Sequence, residues 1–205
     1  MKILIVASGF TGATLPLANQ FSRMGHDVKF FNLVQWDLTS IESIDFDTTR
    51  HIPNGFLQIL SKSNRLYSYL DESIDFYILP FWKRKKRLEK IFVGKIFPWL
   101  NKVLIRKYVK KIIAEHADCI NLIVHSERDV LIAQLLKDSG CRLCITYHEV
   151  LQGLAGKRYL KTQVLETLKY ETPIVLHSRN TANDLLQQLP DVNVRKRIHI
   201  INFGL

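Results

Sequence analysis

A glycine-containing loop near the amino terminus is the first part of the sequence that could bind a ligand. An apolar segment at residues 2–7 runs into residues 8–14, which read SGFTGAT and lead into a helical pattern. In α/β proteins, ligands bind at the carboxyl ends of strands, where free amides and the positive end of a helix face them. A purely structural turn is the alternative. The loop offers two glycines for close backbone approach and two hydroxyl groups: Gly9, Gly12, Thr11 and Thr14.

Two other spacings in the sequence could carry chemistry. Asp45 and Asp47 would lie on the same side of a strand, an arrangement that can hold a divalent metal ion. The surrounding residues lack the rest of such a site, so we expect no metal. Cys141 and Cys144 have the spacing of a redox pair but lie in a strand-like segment, where the two thiols would point to opposite faces. We therefore expect both to be structural.

The positive charge of the chain is concentrated in one segment. The formal net charge is +10, from 29 Lys and Arg against 19 Asp and Glu. Residues 81–111 contain twelve of the basic residues and one of the acidic ones. A local patch of this kind indicates a local anionic partner.

Aromatic and aliphatic residues alternate with these charges, and residues 81–113 are expected to form a basic amphipathic helical insertion. Pro98 would divide it into two helices, because proline lacks an amide donor and suits a first helical turn. This composition is typical of the headgroup layer of an anionic membrane. The alternatives are a solvated helix whose apolar side joins the core, RNA binding, or a targeting signal. The expected membrane-binding residues are Trp82, Lys83, Arg84, Lys85, Lys86 and Arg87.

The rest of the chain reads as one α/β domain. With 205 residues and 47% apolar residues, it has the size and composition of a single large globular domain. Apolar strand-like runs alternate with helical patterns, which indicates a doubly wound parallel sheet of Rossmann-like type. Residues 34–80 are harder to interpret, with a weak strand at 41–46 and a helical stretch at 56–70. The six strand-like runs lie at 2–7, 27–33, 119–124, 142–147, 173–177 and 197–202.

The cysteine count and the lengths of the apolar segments indicate the cellular compartment. Three cysteines do not make a disulfide framework, which favours a reducing compartment. The first apolar run stops at Ser8, so it is too short for a secretion signal. No uninterrupted apolar stretch of about 18 residues occurs. We therefore expect a cytoplasmic protein that associates peripherally with the membrane.

Five short sequences follow one another along the chain: RMGHDV at 23–28, VH at 124–125, TYHE at 146–149, VLHS at 175–178 and IINFG at 200–204. Three of the five end apolar segments with a histidine. Together they resemble the amino-terminal domain of GT-B glycosyltransferases, most closely those of family 4. The similarity covers most of the chain apart from residues 34–115.

This resemblance implies an enzyme with two facing Rossmann-like halves. The amino-terminal half would hold a lipid-linked or polysaccharide acceptor, and the carboxyl-terminal half would hold the nucleotide-sugar donor. Because six strands do not build two sheets, we expect residues 1–205 to be the acceptor half alone, without the donor-binding domain. A truncated form of a longer protein is the simpler explanation, and a natural stand-alone subunit is the other. The isolated chain is expected to be inactive.

The resemblance also assigns roles to individual residues. His125 matches a strand-end histidine beside the transferred sugar, where an imidazole can bond a hydroxyl and stabilise charge. His148 and Glu149 match a second strand-end pair that would contact substrate. The glycine loop would approach the donor phosphates or the acceptor. Ser178 is a further candidate substrate contact, with helix capping as its alternative role.

Two other functional classes stay open at this point. A nicotinamide-dependent oxidoreductase would share the fold, but the third glycine of its loop is missing and strand two does not end in an acid. A nucleic-acid-binding module would use residues 81–111. The glycosyltransferase hypothesis implies no cofactor other than the nucleotide-sugar substrate, no metal and no nucleic acid.

Overall fold

The computed structural model describes residues 1–8, 14–36, 70–82, 96–154 and 156–201. Its strands are β1 (Lys2–Ala7), β2 (Asp27–Trp36), β3 (Asp75–Trp82), β4 (Cys119–Ile123), β5 (Leu143–Tyr147), β6 (Leu151–Leu154), β7 (Lys157–Leu160), β8 (Ile174–Leu176) and β9 (Ile198–Ile200). Its helices are α1 (Thr14–Arg23), α2 (Ile96–Ala114), α3 (Glu127–Asp138), α4 (Thr162–Leu168), α5 (Arg179–Gln188) and α6 (Val192–Arg197).

Seven of these strands form one parallel sheet in the order β3-β2-β1-β4-β5-β8-β9. The chain moves outward from β1 through β2 to β3, then crosses back and continues on the other side from β4. The order therefore reverses between β1 and β4, which makes this the topological switch point of the sheet. The prediction of a doubly wound, Rossmann-like α/β fold is confirmed. Strands β6 and β7 form a separate antiparallel hairpin.

The sheet is covered on both faces because its central strands are apolar on both faces. Along β1, Leu4 packs in one core cluster with Ile112 of α2, whereas Ile5 packs in the other with Leu17 of α1. Successive side chains of a strand point to opposite faces, so this alternation places α1 and α2 on opposite sides of the sheet. Helix α3 shares the face of α2.

Some elements differ from the sequence-based expectation. Strand β3 was not predicted, because Pro80 interrupts its apolar pattern. In the described sheet it pairs only with β2, so it is an edge strand, and an edge strand tolerates proline. The helix expected at 158–170 begins only at Thr162, since residues 157–160 pair in the hairpin. The expected strand at 41–46 and helix at 56–70 lie outside the described residues.

The basic segment is only partly an amphipathic insertion. Its expected start is wrong for Phe81 and Trp82, which belong to β3 and pair with β2. Helix α2 begins at Ile96 with Pro98 in its first turn, as proline's missing amide allows, and residues 83–95 lie outside the described part. The apolar side of α2, including Ile112, joins the core. Helix α2 is thus the crossover from β3 to β4.

Among the helices of the described residues, none is both long enough and apolar enough to span a bilayer.

Candidate functional site

The candidate site lies at the carboxyl ends of the parallel strands, around the switch point between β1 and β4. Of the glycine-loop residues, Gly9, Thr11 and Gly12 lie outside the described part of the chain. Thr14 is the first residue of α1 and is 1% exposed, so its side chain is enclosed by the fold. Its contact with a ligand stays a prediction.

Three histidines from three parallel strands form a stacked row at this edge. We call His125, His148 and His177 the histidine row. The ring centroids of His125 and His148 are 4.9 Å apart with planes 12° from parallel, and those of His148 and His177 are 4.5 Å apart at 30°. The row forms because β4, β5 and β8 are neighbours in the sheet and each is followed by a histidine at or just beyond its end. The structure thus brings together two of the candidate residues predicted from the sequence, His125 and His148. It places a third histidine, His177, next to them.

The environment of the row favours neutral imidazoles. Partial burial and the neighbouring His177 and His125 together lower the pKa of His148 to about 4, because a positive charge on one ring disfavours a charge on the next. Partial burial also lowers the pKa of His125, which keeps an exposed surface, and of His177. The Asp129 carboxylate opposes this effect at His125. At neutral pH each ring therefore offers one N–H donor and one nitrogen acceptor.

A buried carboxylate that the sequence analysis did not identify lies beside His125. Asp129 is fully buried in the first turn of α3. It accepts hydrogen bonds from the backbone N–H of His125 at 3.0 Å, from the backbone N–H of Ser126 at 2.9 Å and from the Ser8 hydroxyl at 2.8 Å. The Ser126-x-x-Asp129 spacing is the capping-box pattern and is the signal that could have identified it. Its link to Ser8, 121 residues away, appears only in the fold.

An open cleft of about 430 Å³ adjoins His125. The Arg128 guanidinium forms part of its wall, with its central carbon 4.5 Å from the centroid of the Phe81 ring. The same guanidinium donates to the Ser8 hydroxyl and lies 3.4 Å from Asp129 Oδ1. The cleft therefore combines a cation, a carboxylate, an imidazole and neutral polar groups, a set suited to a polar ligand. Its lining residues are Phe81, Asn101, His125, Ser126, Glu127, Arg128 and Gln163.

Comparison with known proteins finds relatives by structure alone. No protein-family model matches the chain, and no curated protein matches it. The chain is similar to MurG from Acinetobacter baumannii, with 16% identity over 88% of this chain and 42% of that one and a TM-score of 0.49. It is also similar to a UDP-glucosyltransferase from Polygonum tinctorium, with 14% identity over 100% of this chain and 52% of that one and a TM-score of 0.48.

A third similar structure is the N-terminal domain of trehalose-6-phosphate phosphatase from Candida albicans, with 12% identity over 100% of this chain and 48% of that one and a TM-score of 0.47. The chain spans about half the length of these solved structures. Glycosyltransferases of the GT-B fold are thus among its structural neighbours, at low identity. Similarity at this level does not extend to substrates or to individual residues.

Glu149 and Ser178, the remaining predicted substrate contacts, have structural partners. Glu149 accepts a bond from Lys161 Nζ at 2.9 Å, although three quarters of its own side chain is exposed. This pair closes the base of the β6–β7 hairpin, where the Lys161 amide also donates to the Val150 carbonyl. Ser178 accepts the Thr181 N–H at 3.0 Å and caps α5. The capping alternative for Ser178 is confirmed, and a further contact with substrate stays a prediction.

The outward side of α2 is basic and partly apolar. Trp99 is 62% exposed and Val103 is 45% exposed. Four exposed basic residues share this part of the helix: Lys102, Arg106, Lys107 and Lys110. We call these six residues the α2 face. Asn101, on the same helix but on the side turned away from the α2 face, lines the cleft.

Among the described residues, no group of three or more His, Cys, Asp or Glu side chains could hold a metal ion. Asp45 and Asp47 lie outside the described part. Burial raises the pKa of the Cys144 thiol to about 12 and raises that of Cys141, so neither thiol is activated. Cys144 lies in β5, whereas Cys141 lies just before it.

Proposed function

We propose that this chain is the acceptor-side half of a GT-B glycosyltransferase that transfers a sugar from a nucleotide-sugar donor to a lipid-linked or polysaccharide acceptor. Cell-envelope glycan synthesis is the setting that this acceptor class suggests. The observation that carries the proposal is the meeting of His125 and His148 beside the cleft at the switch point. These are two of the residues that the sequence resemblance assigns to a sugar.

The chemistry of the cleft supports an uncharged, hydroxyl-rich group next to the row. A neutral imidazole can donate to one sugar hydroxyl and accept from another, and neutral imidazoles avoid mutual repulsion in the stack. The Arg128 guanidinium can bind a phosphate, such as that of a lipid-linked acceptor. His125 is the proposed catalytic residue, because it lines the cleft and could stabilise charge that develops on the transferred sugar.

The nucleotide-sugar would be held by a second Rossmann-like half, and the reaction would take place between the two. No cofactor or metal is part of this proposal. We further propose peripheral association of the protein with the cytoplasmic side of an anionic membrane, through residues 82–87 and the α2 face. This would bring a lipid-borne acceptor close to the cleft, since Asn101, on the other side of α2, lines the cleft.

The proposal is tested by ligand binding to the 205-residue chain. Imidazole resonances are followed by NMR while soluble oligosaccharides, polyprenyl-type sugar phosphates or NADH are added. We expect a glycan or sugar phosphate to shift the His125 and His148 resonances, and we expect no turnover of nucleotide sugars. His125→Ala should weaken this binding about tenfold or more, whereas His199→Ala, at an exposed site on β9, should not.

Two results would overturn the proposal. Saturable binding of NADH that shifts the row would identify a nicotinamide-dependent oxidoreductase. Equal binding by the His125→Ala and His199→Ala variants would show that the row is not the sugar site.

A further inference from the structure

We propose that Asp129 is a positioning residue that holds the carboxyl end of β1 and the carboxyl end of β4 together at the switch point. It would act on a ligand only through the groups it holds, namely the start of the glycine loop, His125 and Arg128. The inference deepens the proposed function, because these groups form the proposed substrate site. Its geometry stands independently of which ligand binds there.

The two strands need such a connection where their pairing stops. The register of β1 with β4 ends at Val6 opposite Leu122. Ser8 and His125 lie beyond this last pair, at the point where β1 and β4 separate to form the crevice. Their separation is therefore determined by side chains and not by the backbone ladder.

The Asp129 carboxylate supplies the connection with one oxygen toward each strand. Oδ1 accepts a hydrogen bond from the Ser8 hydroxyl at 2.8 Å. Oδ2 accepts the backbone N–H groups of His125 and Ser126 at 3.0 and 2.9 Å, and the Ser126 hydroxyl at 2.9 Å. Movement of Ser8 away from α3 would thus break a bond to the same group that fixes the backbone of His125.

Only an ionised carboxylate satisfies all of these donors. It is an acceptor at both oxygens, whereas an asparagine amide accepts at one oxygen and places a donor at the other position. Asp129 is fully buried, and a buried charge is tolerated when it is paired and hydrogen-bonded. The Arg128 guanidinium, 3.4 Å from Oδ1, provides the paired charge and also contacts the Ser8 hydroxyl.

The fixed position of Arg128 follows from the same arrangement. Its guanidinium lies over Phe81 of β3 on one side and contacts Ser8 and Asp129 on the other. Components from β1, β3 and β4 are thereby held around one carboxylate. We expect the shape of the cleft to depend on Asp129 although Asp129 does not line it.

The test is amide hydrogen exchange in the ligand-free 205-residue chain, with Ser8→Ala as the main variant. The amides of His125 and Ser126 donate to Asp129, so their protection reports on this carboxylate. We expect Ser8→Ala to accelerate exchange of both amides about tenfold, with unchanged exchange at Ile132 in the middle of α3. The matched control is Ser22→Ala, which removes a hydroxyl contact to Ser73 on the other side of the molecule.

Unchanged protection at His125 and Ser126 in Ser8→Ala would overturn the proposal, because Asp129 would then be only a local helix cap. A second readout is the pKa of His125 in Asp129→Asn. Loss of the carboxylate that raises this pKa should lower it, whereas Asp184→Asn, at the ion pair with Arg158, should leave it unchanged. An unchanged pKa of His125 in a folded Asp129→Asn chain would count against the proposal.

These readouts separate the inference from the proposed function. If no glycan binds the parent chain but Ser8→Ala accelerates exchange, the proposed function fails and the role of Asp129 stands. If glycan binds but exchange is unchanged, the reverse conclusion holds. If both stand, Ser8→Ala should also weaken glycan binding several-fold, and Ser22→Ala should not.

Discussion

The imidazole rings of His125 and His148 stack with their centroids 4.9 Å apart and their planes 12° from parallel, although 23 residues separate them in the chain. His148 also lies against His177, with centroids 4.5 Å apart and planes tilted by 30°, so it is the middle ring of the row. A positive charge on the middle ring would be desolvated and would face two further imidazoles. The stack therefore depends on the rings staying neutral.

The row predicts a loss of stability in acid. The pKa of His148 in the folded chain is about 4, below the ordinary value of 6.5. Below pH 6.5 the unfolded chain binds a proton that the folded chain does not, so stability is fully present above 6.5 and falls as the pH drops toward 4. His148→Gln should flatten this part of the profile, measured as melting temperature from pH 7.5 to 4.5. His199→Gln serves as the control, and equally steep profiles in both variants would contradict the prediction.

A cluster of ion pairs near the amino-terminal ends of β1 and β2 predicts a second loss of stability in acid. Glu115, just after α2, accepts bonds from Lys2 Nζ at 3.0 Å and Lys29 Nζ at 2.9 Å. Burial alone would raise the pKa of Glu115, but these two bonds outweigh it and lower the pKa. The stabilisation is present above pH 4.5 and is lost as the pH falls through the lowered pKa of the folded chain.

Glu115→Gln should therefore reduce the free energy of unfolding by about 1–2 kcal/mol at neutral pH. Urea denaturation at pH 7 measures this change. Glu166→Gln, at an exposed position of α4, is the matched control and should have little effect. A difference between the two variants that vanished at pH 7 and appeared only below pH 4 would refute the ion-pair explanation.

Removing a buried hydrogen bond between β4 and β5 is expected to lower the free energy of unfolding at neutral pH. The Thr146 hydroxyl donates to Asn121 Oδ1 at 2.8 Å, and both residues are buried. Thr146→Val keeps the shape but leaves the Asn121 oxygen without this donor, which should cost about 1–3 kcal/mol of unfolding free energy. Thr162→Val, at the exposed start of α4, is the control for the same replacement. Chemical denaturation curves with equal midpoints would show that the bond contributes nothing.

The α2 face predicts binding to anionic vesicles. Neutralising Lys102, Arg106 and Lys110 with Gln should reduce affinity for phosphatidylserine-containing vesicles about a hundredfold, at roughly 1 kcal/mol per charge. Co-sedimentation measures this, with pure phosphatidylcholine vesicles as the lipid control. Neutralising Lys137, Arg142 and Lys196, which are exposed elsewhere, should have a small effect.

Two outcomes of the vesicle experiment would count against the membrane proposal. Equal losses in both triple variants would show that only total charge matters. Salt-sensitive binding to RNA without binding to vesicles would favour the nucleic-acid alternative. Neutralising residues 83–87 tests the other half of the proposed surface in the same assay.

The strands that the sequence located correctly are those with the simplest pattern. Six strands were expected within a few residues of their observed positions, because each is an apolar run bounded by helix or turn signals. Strand β3 was missed because it contains Pro80, and the β6–β7 hairpin was missed because its short exposed strands lack an apolar pattern. The apolar side of α2 was assigned to a membrane surface, whereas it packs against the sheet.

By itself the sequence determined that the protein is an α/β domain with a parallel sheet, a glycine loop after the first strand and histidines after three later ones. These features depend on local pattern, which neighbouring residues set. Tertiary structure decided which strand ends meet. Only the sheet order places His125, His148 and His177 in one row, and only the switch point brings Ser8 within 2.8 Å of Asp129. Contacts between residues more than a hundred positions apart depend on strand order, which no local pattern encodes.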